Sequence, residues 1–275
     1  MKSPNPPYSL HTPCETFRIA QISDLHIQRS TDSANLSITQ FEKALRHAVD
    51  SQPDLLLLTG DLINNGTCDD YDWLFSRLSS LGIAFVCIAG NHDVTIELNH
   101  HLPFYERTFL PKAADDRLLS CHKIDIHLKD AKWQLLLLNS AVSAQIHGAL
   151  LADTLAWLHD VLSHSQINTV IALHHHAVPV ESAWIDAHAL TNADEFWALI
   201  KKHAHVKLVL CGHVHQARAK KAPTDHPCIQ LSCPSTNRQF MPKADDFCLD
   251  DIAFGYRLID LMADKFDSRI IRVID

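Results

Sequence analysis

The sequence contains no run of 18 apolar residues and no C-x-x-C pair among its eight cysteines. The first absence argues against a membrane-spanning helix. Cys87 and Cys211 instead fall inside apolar, strand-like runs, where a free cysteine behaves as a small hydrophobic residue. The proline-rich, polar segment 1–14 also lacks the apolar stretch of a signal peptide. Together these features predict a cytoplasmic protein with reduced cysteines.

Positive charge is scarce as well. The chain has 24 Lys and Arg against 32 Asp and Glu, which gives a net charge of −8. Proteins that bind a nucleic-acid backbone carry a basic stripe, so we expect no nucleic-acid partner. A small anionic substrate stays compatible with this balance, because bound metal ions would dominate the local field.

The length of 275 residues favours one large domain over two. We predict an extended lead-in over residues 1–15 and a single domain over residues 16–275. An apolar content of 47% is ordinary, but 20 histidines are not.

Many of these histidines lie in short polar clusters that follow apolar, strand-like runs. The five clusters are Ser23-Asp24-Leu25-His26, Gly60-Asp61, Gly90-Asn91-His92-Asp93, His174-His175-His176 and Gly212-His213-Val214-His215. Ligands of open α/β sheets bind at the carboxyl ends of strands. The pattern therefore predicts one metal centre assembled from several strand ends.

Each cluster alone has a simpler interpretation. Asp24 and His26 have the same-face spacing of two metal ligands, but a polar exit from a strand gives the same pattern. Asp61 after Gly60 is also a common turn sequence. Because successive side chains alternate faces, at most two residues of the run 174–176 can be ligands. Only the recurrence of the clusters favours the metal centre.

The rest of the chain alternates helices and strands. Beside the strands before the clusters, we predict helices near 36–51, 71–81, 102–109, 150–162 and 193–203. Strands near 118–128 and 133–139 open a second sheet as antiparallel neighbours, and strands near 229–232, 252–262 and 268–274 complete it. Residues 175–192 have little periodicity and are interpreted as a loop over the site. Four further histidines are assigned to the surface: His159, His164, His203 and His205.

The ordered set of clusters resembles the signature of the calcineurin-like metallophosphoesterases, over about residues 17–215. More narrowly, three stretches are similar to the bacterial class III cyclic-AMP phosphodiesterases: residues 174–193, Leu210 to Gln216, and Pro234-Ser235-Thr236. The sequence departs from that pattern at Ala177, where those enzymes usually carry proline, and at Asn237-Arg238. These departures concern substrate preference rather than metal binding.

The resemblance implies an α/β fold, a four-layer α-β-β-α sandwich of two mixed sheets flanked by helices. It also implies two metal ions with Asp61 as the bridging ligand. One ion would be bound by Asp24, His26, Asp61 and His215. The other would be bound by Asp61, Asn91, His174 and His213.

Nitrogen and oxygen donors suit iron together with manganese, zinc or cobalt, whereas an all-carboxylate set would indicate magnesium or calcium. Two ions about 3.5–4 Å apart lower the pKa of a shared water, and the hydroxide attacks phosphorus in line with the leaving oxygen. With two carboxylates and one hydroxide, the centre retains a charge of roughly +1, which favours an anionic substrate.

His92 follows the ligand Asn91 in the same turn and is assigned as a general acid or transition-state donor, with a structural role as the alternative. The predicted substrate contacts are His26, Asp61, Asn91, His92 and His215. Weaker candidates are His175, His176, Trp184, His188, Asn237 and Arg238. Of these, Trp184 is interpreted either as part of a nucleobase pocket or as a buried loop anchor.

The resemblance thus predicts a phosphodiesterase that converts 3′,5′-cyclic AMP to 5′-AMP, with a small-molecule phosphodiester as its partner. The alternative within catalysis is the same centre acting on another phosphodiester or on a pyrophosphate. A non-catalytic scaffold would be expected to have lost ligands, and every signature position is present here. The sequence leaves the oligomeric state open.

Overall fold

The computed structural model describes residue 6 and residues 8–29, 34–64, 66–103, 106–223 and 225–274. Its helices are α1 (Ala34–Asp50), α2 (Cys68–Ser79), α3 (Asn91–Val94), α4 (Ala152–Ser163), α5 (Ala183–Asp186) and α6 (Ala193–Ile200). The first eight strands are β1 (Ser9–His11), β2 (Phe17–Ile22), β3 (Leu55–Thr59), β4 (Ala84–Ile88), β5 (Thr95–Glu97), β6 (Phe109–Pro111), β7 (His122–His127) and β8 (Lys132–Leu137). The others are β9 (Asn168–Ala172), β10 (Val206–Cys211), β11 (Ala219–Lys221), β12 (Ile229–Ser232), β13 (Gln239–Phe240), β14 (Leu249–Asp250), β15 (Gly255–Leu261) and β16 (Phe266–Arg272).

Two large sheets form the centre of the fold. The first sheet has the order β16-β15-β2-β3-β4, and the second has the order β1-β7-β8-β9-β10-β12-β11. Strands β2, β3 and β4 run parallel, as do β8, β9, β10 and β12. Parallel strands end at the same edge of a sheet, so the polar residues after them are brought together.

The alternation of buried side chains shows the order of the layers. In β3, Leu56 and Leu58 pack with α1 and α2, whereas Leu55 and Leu57 pack against the second sheet. In β8, Leu136 points toward the layer that contains α4 and α6. Apolar side chains on both faces are typical of sheets that are covered on both sides. The predicted α-β-β-α sandwich is confirmed.

The C-terminal hairpin was assigned to the wrong sheet. The strands predicted near 252–262 and 268–274 correspond to β15 and β16, and β15 pairs antiparallel with β2 of the first sheet. Of the three C-terminal strands predicted for the second sheet, β12 alone lies there. Leu258 and Ile259 pack on opposite faces of the first sheet, so β15 is an interior strand. An Arg18–Asp260 ion pair of 2.7 Å ties it to β2.

Smaller expectations also need correction. His203 and His205 are buried, with 8% and 6% exposure, because they pack at the junction between α6 and β10. His159 and His164 are exposed as predicted. None of the helices in the described ranges is long and apolar enough to cross a membrane.

Three segment boundaries differ from the predictions. The helix predicted near 102–109 is wrong at its end, because Phe109 begins β6, which pairs with β5; residues 104–105 lie outside the described residues. The strand predicted near 118–128 begins only at His122. Within the predicted lead-in, β1 pairs parallel with β7, so the ordered sheet begins before residue 16. Residues 1–5 and 7 of that lead-in lie outside the described residues.

Candidate metal centre

All five predicted clusters meet at the carboxyl ends of the strands of the two sheets. Asp24, Asp61 and Asn91 follow β2, β3 and β4 of the first sheet, and His174 and His213 follow β9 and β10 of the second. Backbone hydrogen bonds join the turns: Asp24 N–H donates to the Gly60 carbonyl at 3.0 Å, and Gly212 N–H donates to the His174 carbonyl at 3.0 Å. The cluster therefore lies where the carboxyl-terminal edges of the two sheets meet.

Five of the seven predicted ligands have a left-handed backbone conformation. Their φ values are 54° for Asp24, 45° for His26, 51° for Asp61, 66° for His213 and 49° for His215. Non-glycine residues rarely adopt this region, and such conformations concentrate at functional sites. The sharp turns direct these side chains into the space between the strand ends.

Two glycines make the close approach of the turns possible. A Cβ atom at Gly60, where φ is +87°, would lie 2.5 Å from Nδ1 of His174. A Cβ atom at Gly90 would lie 2.8 Å from Cε1 of the same ring and even closer to Asp61. These positions require glycine because the predicted ligands pack directly on the backbone.

The donor atoms lie within a few ångströms of one another. Oδ2 of Asp61 is 3.4 Å from Nε2 of His174 and 3.8 Å from Nε2 of His26. Oδ1 of Asp24 is 3.3 Å from Nε2 of His215. Two ligand atoms about 2.1 Å from one ion are separated by roughly 3–3.4 Å. The pairs at 3.3 Å and 3.4 Å have this separation.

Hydrogen bonds to the backbone orient two of the imidazoles. Nδ1 of His174 lies 2.8 Å from the Thr59 carbonyl, and Nδ1 of His215 lies 2.8 Å from the Arg238 carbonyl. A carbonyl only accepts, so each Nδ1 carries a hydrogen and each Nε2 is directed at the cluster. Such partners are typical of metal-ligating histidines.

Three buried atoms of the predicted ligands have no hydrogen-bond partner in the described part of the chain. They are Oδ1 of Asn91, Nε2 of His174 and Nε2 of His213. Buried polar atoms are normally satisfied, so three unsatisfied atoms among the predicted ligands require an explanation. Carboxylate, amide and imidazole donors in this arrangement fit metal ions.

Electrostatics reflect the crowding of charge. Burial opposes ionisation of Asp61, but the neighbouring His174 and His92 rings outweigh it and hold the pKa of Asp61 well below its usual value. Burial likewise disfavours the charged form of His174, yet the Asp61 carboxylate raises the pKa of His174 to about 9. Burial, reinforced by His92, lowers the pKa of His26 to about 3.

The run 174–176 separates into three different environments. His175 is fully engaged, because Nδ1 lies 2.9 Å from the Ser140 hydroxyl and Nε2 lies 3.0 Å from the Ile146 carbonyl. Nε2 of His176 lies 3.0 Å from the Asp186 carboxylate. His174 alone directs a nitrogen at Asp61.

His92 lies beside the cluster. Its ring is 4.7 Å from the His26 ring in an edge-to-face arrangement, and its backbone N–H donates to Oδ1 of Asp61 at 2.9 Å. The neighbouring Asp93 carboxylate accepts hydrogen bonds from the Tyr71 hydroxyl at 2.6 Å and from the Gly90 N–H at 2.9 Å. Asp93 therefore fixes the turn around His92.

A cavity of about 350 Å³ opens from the cluster. The loop predicted over residues 175–192 contributes three of its lining residues, Trp184, Ile185 and His188, and contains the short helix α5. Asn237 donates to the Leu25 carbonyl, at 3.4 Å, and the exposed Arg238 meets His215 through its backbone carbonyl. Neither Asn237 nor Arg238 lines the cavity.

Sequence analysis missed half of the residues that line the cavity. The residues missed are Thr95, Glu97, Arg107, Phe109, Ile146, Ile185, Phe240 and Phe247. They come from short elements and loops without periodicity, so no pattern marks them. Sequence analysis also gave no role to Ser140 and Asp186, whose side chains are hydrogen-bonded to His175 and His176.

Comparisons with known proteins agree with this geometry. Residues 17–217 match the calcineurin-like phosphoesterase family. A probable cyclic nucleotide phosphodiesterase of Moraxella catarrhalis is 45% identical over 94% of this chain and 93% of its own. The 3′,5′-cyclic adenosine monophosphate phosphodiesterase CpdA of Escherichia coli is 32% identical over 90% of this chain and 86% of its own.

Solved structures show the same fold at low sequence identity. A dimetal phosphatase from Danio rerio is superimposed with a TM-score of 0.56 and 13% identity, over 94% of this chain and 99% of that one. A purple acid phosphatase from yellow lupin gives a TM-score of 0.62 and 11% identity, over 94% of this chain and 52% of that one. The match over residues 17–217 and the close relatives show that the chain belongs to the calcineurin-like phosphoesterase family.

Proposed function

We propose that the protein is a dinuclear metal phosphodiesterase that hydrolyses 3′,5′-cyclic AMP to 5′-AMP. The family implies a two-metal centre, and relatives that cover nearly the whole chain are named cyclic nucleotide phosphodiesterases. One observation carries the proposal: Oδ2 of Asp61 lies within 3.8 Å of histidine nitrogens from both sheets. A single carboxylate in this position can be shared by two ions.

The proposed ligands divide into two sets around Asp61. Asp24, His26 and His215 belong to one set, and their donor atoms lie within 4.8 Å of one another. The other set is Asn91, His174 and His213, which includes the unsatisfied buried atoms. His175 is left out because both of its nitrogens have partners in the second sheet and its loops.

The mixed nitrogen and oxygen donors suit iron with manganese, zinc or cobalt. Two such ions would activate a water for attack on phosphorus and offset the charge of the phosphate. The chain's own contribution is to hold the donors in fixed orientations, through the Thr59 and Arg238 carbonyls, and to bury them away from bulk water.

The substrate phosphate would contact the residues that line the cavity at the metal end, which are His26, Asp61, Asn91, His92 and His215. Among them, His92 is the proposed proton donor to the leaving 3′ oxygen. His92 is half-buried, and its position is fixed by the hydrogen bond from its backbone N–H to Asp61. Its ring lies against the His26 ring. A ligand role is the competing assignment, since His26, Asp61 and His92 also form a compact group.

The eight cysteines are all free, and the net charge is −8. These features support a cytoplasmic location and a small phosphodiester, rather than nucleic acid, as the partner.

Metal analysis combined with turnover tests the proposal. The purified protein would be assayed with 3′,5′-cyclic AMP, 3′,5′-cyclic GMP, 2′,3′-cyclic AMP and a generic aryl phosphodiester, and we expect about two ions per chain and turnover of the 3′,5′-cyclic nucleotides. Activity on the aryl compound alone, or on a pyrophosphate, would reject cyclic AMP as the substrate and retain the hydrolytic centre. Absence of bound metal together with full activity would reject the centre itself.

A further inference from the structure

The cavity has two chemically different ends. One end is lined by the proposed metal ligands, and the other is lined by apolar and aromatic side chains, chiefly Trp184, Phe240 and Phe247. A volume of about 350 Å³ lies in the range of pockets that enclose a small ligand. A phosphodiester at the metal end therefore directs its substituent toward the aromatic end.

Three aromatic side chains, Trp184, Phe240 and Phe247, pack together at that end and are termed the aromatic cluster. The Trp184 ring lies 4.8 Å from that of Phe240 and 5.2 Å from that of Phe247, both edge-to-face. The Phe240 ring stacks on the imidazole of His215 at 4.0 Å, with an angle of 7° between the planes. The aromatic cluster thus begins directly at a proposed metal ligand.

Exposure distinguishes this cluster from ordinary core packing. Phe247 is 60% exposed although it lines the cavity. A large exposed aromatic at a pocket mouth is typical of a ligand-binding surface. Ile252, in the loop after β14, is also exposed but does not line the cavity.

The charges around the cavity favour an uncharged group at the aromatic end. Among the described lining residues, Arg107 is the one lysine or arginine, and its guanidinium pairs with Glu97 at 2.6 Å and donates to the Leu102 carbonyl at 2.8 Å. That pairing leaves little positive charge for a second phosphate. A planar, neutral heterocycle matches the wall better.

We propose that the aromatic cluster is the nucleobase subsite of the enzyme. The base of a nucleoside 3′,5′-cyclic phosphate stacks on these rings, which line the same cavity as the proposed metal ligands. This inference rests on the proposed function, because it takes a cyclic nucleotide as the substrate. The inference assigns recognition of the base to side chains that are not among the proposed metal ligands.

The test compares two substrates that share the phosphodiester ring. One is 3′,5′-cyclic AMP, and the other is methyl riboside 3′,5′-cyclic phosphate, which has no base. For Phe247→Ala, stacking magnitudes predict that the ratio of kcat/KM for cyclic AMP to kcat/KM for the base-free compound falls about 10-fold. For Trp184→Leu, which keeps an apolar side chain and removes the aromatic face, we expect a fall of about 3–10-fold, expressed mainly in KM.

Ile252→Ala is the matched control, because it truncates an exposed apolar side chain that does not line the cavity. We expect the substrate ratio of this variant to equal that of the wild type. An unchanged ratio in both cavity variants, or an equal fall in the control, would overturn the nucleobase subsite.

Failure of the proposed function gives a different result. If the wild type hydrolyses the base-free compound as efficiently as cyclic AMP, the phosphodiester chemistry stands and the subsite is overturned. If it hydrolyses neither, the proposed function fails, and calorimetric affinities decide the subsite separately. Tighter binding of 5′-AMP than of ribose 5-phosphate, weakened in Phe247→Ala, supports the subsite, and equal affinities overturn it.

Discussion

The Nε2 atoms of His26 and His215 lie 3.1 Å apart between the two sheets. Nδ1 of His215 donates to the Arg238 carbonyl, which leaves its Nε2 directed at His26. The same Nε2 lies 3.3 Å from the Asp24 carboxylate. Nitrogen and carboxylate atoms that meet in this way suit a bound cation, which is the physical basis for the proposed metal centre.

Removal of the shared carboxylate gives the most direct test of that centre. For Asp61→Ala we expect loss of bound metal and a fall in kcat/KM of at least about 10³-fold, because both proposed ions lose a ligand. Elemental analysis of the purified variant measures the metal, and circular dichroism checks the fold.

Asp153→Ala is the control for this change, since Asp153 is an exposed carboxylate in the first turn of α4. It should retain both metal and activity. An Asp61→Ala protein that keeps two ions per chain would contradict the bridging assignment.

The role of His92 is tested by separating metal content from rate. For His92→Ala we expect kcat to fall about 10²–10⁴-fold with both ions retained, as for the loss of a general acid. His159→Ala, which alters an exposed histidine of α4, should be fully active. If His92→Ala instead loses an ion, the histidine is a ligand, and the proton donor lies elsewhere.

The sequence was sufficient to predict which polar side chains meet at the strand ends but not to predict the whole sheet order. Asp24, Asp61 and Asn91 were recognisable because each follows an apolar run that reads as a strand, and parallel strands end at a common edge. The strand that became β15 has apolar residues on both faces, so it fits an interior position in either sheet. Its actual partner, β2, is decided by tertiary pairing.

The aromatic end of the cavity could not be predicted from the sequence either. Phe240 and Phe247 lie in the short strand β13 and the loop before β14, where hydrophobic periodicity carries no information. Their positions become meaningful only when the second sheet brings His215 beneath Phe240. Trp184 was named as a candidate because it belongs to the resemblance, not because of any local pattern.

A comparison of Gly60 with Gly82 separates the cost of backbone strain from the effect of a steric clash with His174. Gly60 has φ +87° and Gly82 has φ +67°, so alanine is strained at both, by about 1–2 kcal/mol. A Cβ atom at Gly82 meets nothing within 4 Å, whereas one at Gly60 presses on His174. We therefore expect similar losses of unfolding free energy from the backbone alone, with additional loss of metal and activity only in Gly60→Ala.

Denaturant titration and metal analysis of the two alanine variants measure these effects. Gly82→Ala is the matched control, because it has the same left-handed penalty without the contact. Full metal content and normal kcat in Gly60→Ala would show that the His174 ring can shift without consequence.

The Arg18–Asp260 pair that joins β2 to β15 gives a pH-dependent prediction for stability. Burial would raise the pKa of Asp260, but its bonds to Arg18 and Arg269 outweigh this and lower the pKa below the usual value. A carboxylate with a lowered folded-state pKa stabilises the fold above its unfolded pKa of about 3.9, and this contribution is lost as the pH falls through the folded value.

For Asp260→Asn we therefore expect a loss of about 1 kcal/mol of unfolding free energy near pH 7, since both arginines are partly exposed. The difference from the wild type should shrink below pH 4, where the carboxylate of the unfolded chain takes up a proton, and vanish below the lowered pKa of the folded Asp260. Urea unfolding at pH 7 and pH 3.5 measures this. Asp267→Asn alters the exposed cross-strand neighbour of Asp260 in β16 and is the control. An equal difference at both pH values for Asp260→Asn would mean that packing, rather than charge, couples the hairpin to the first sheet.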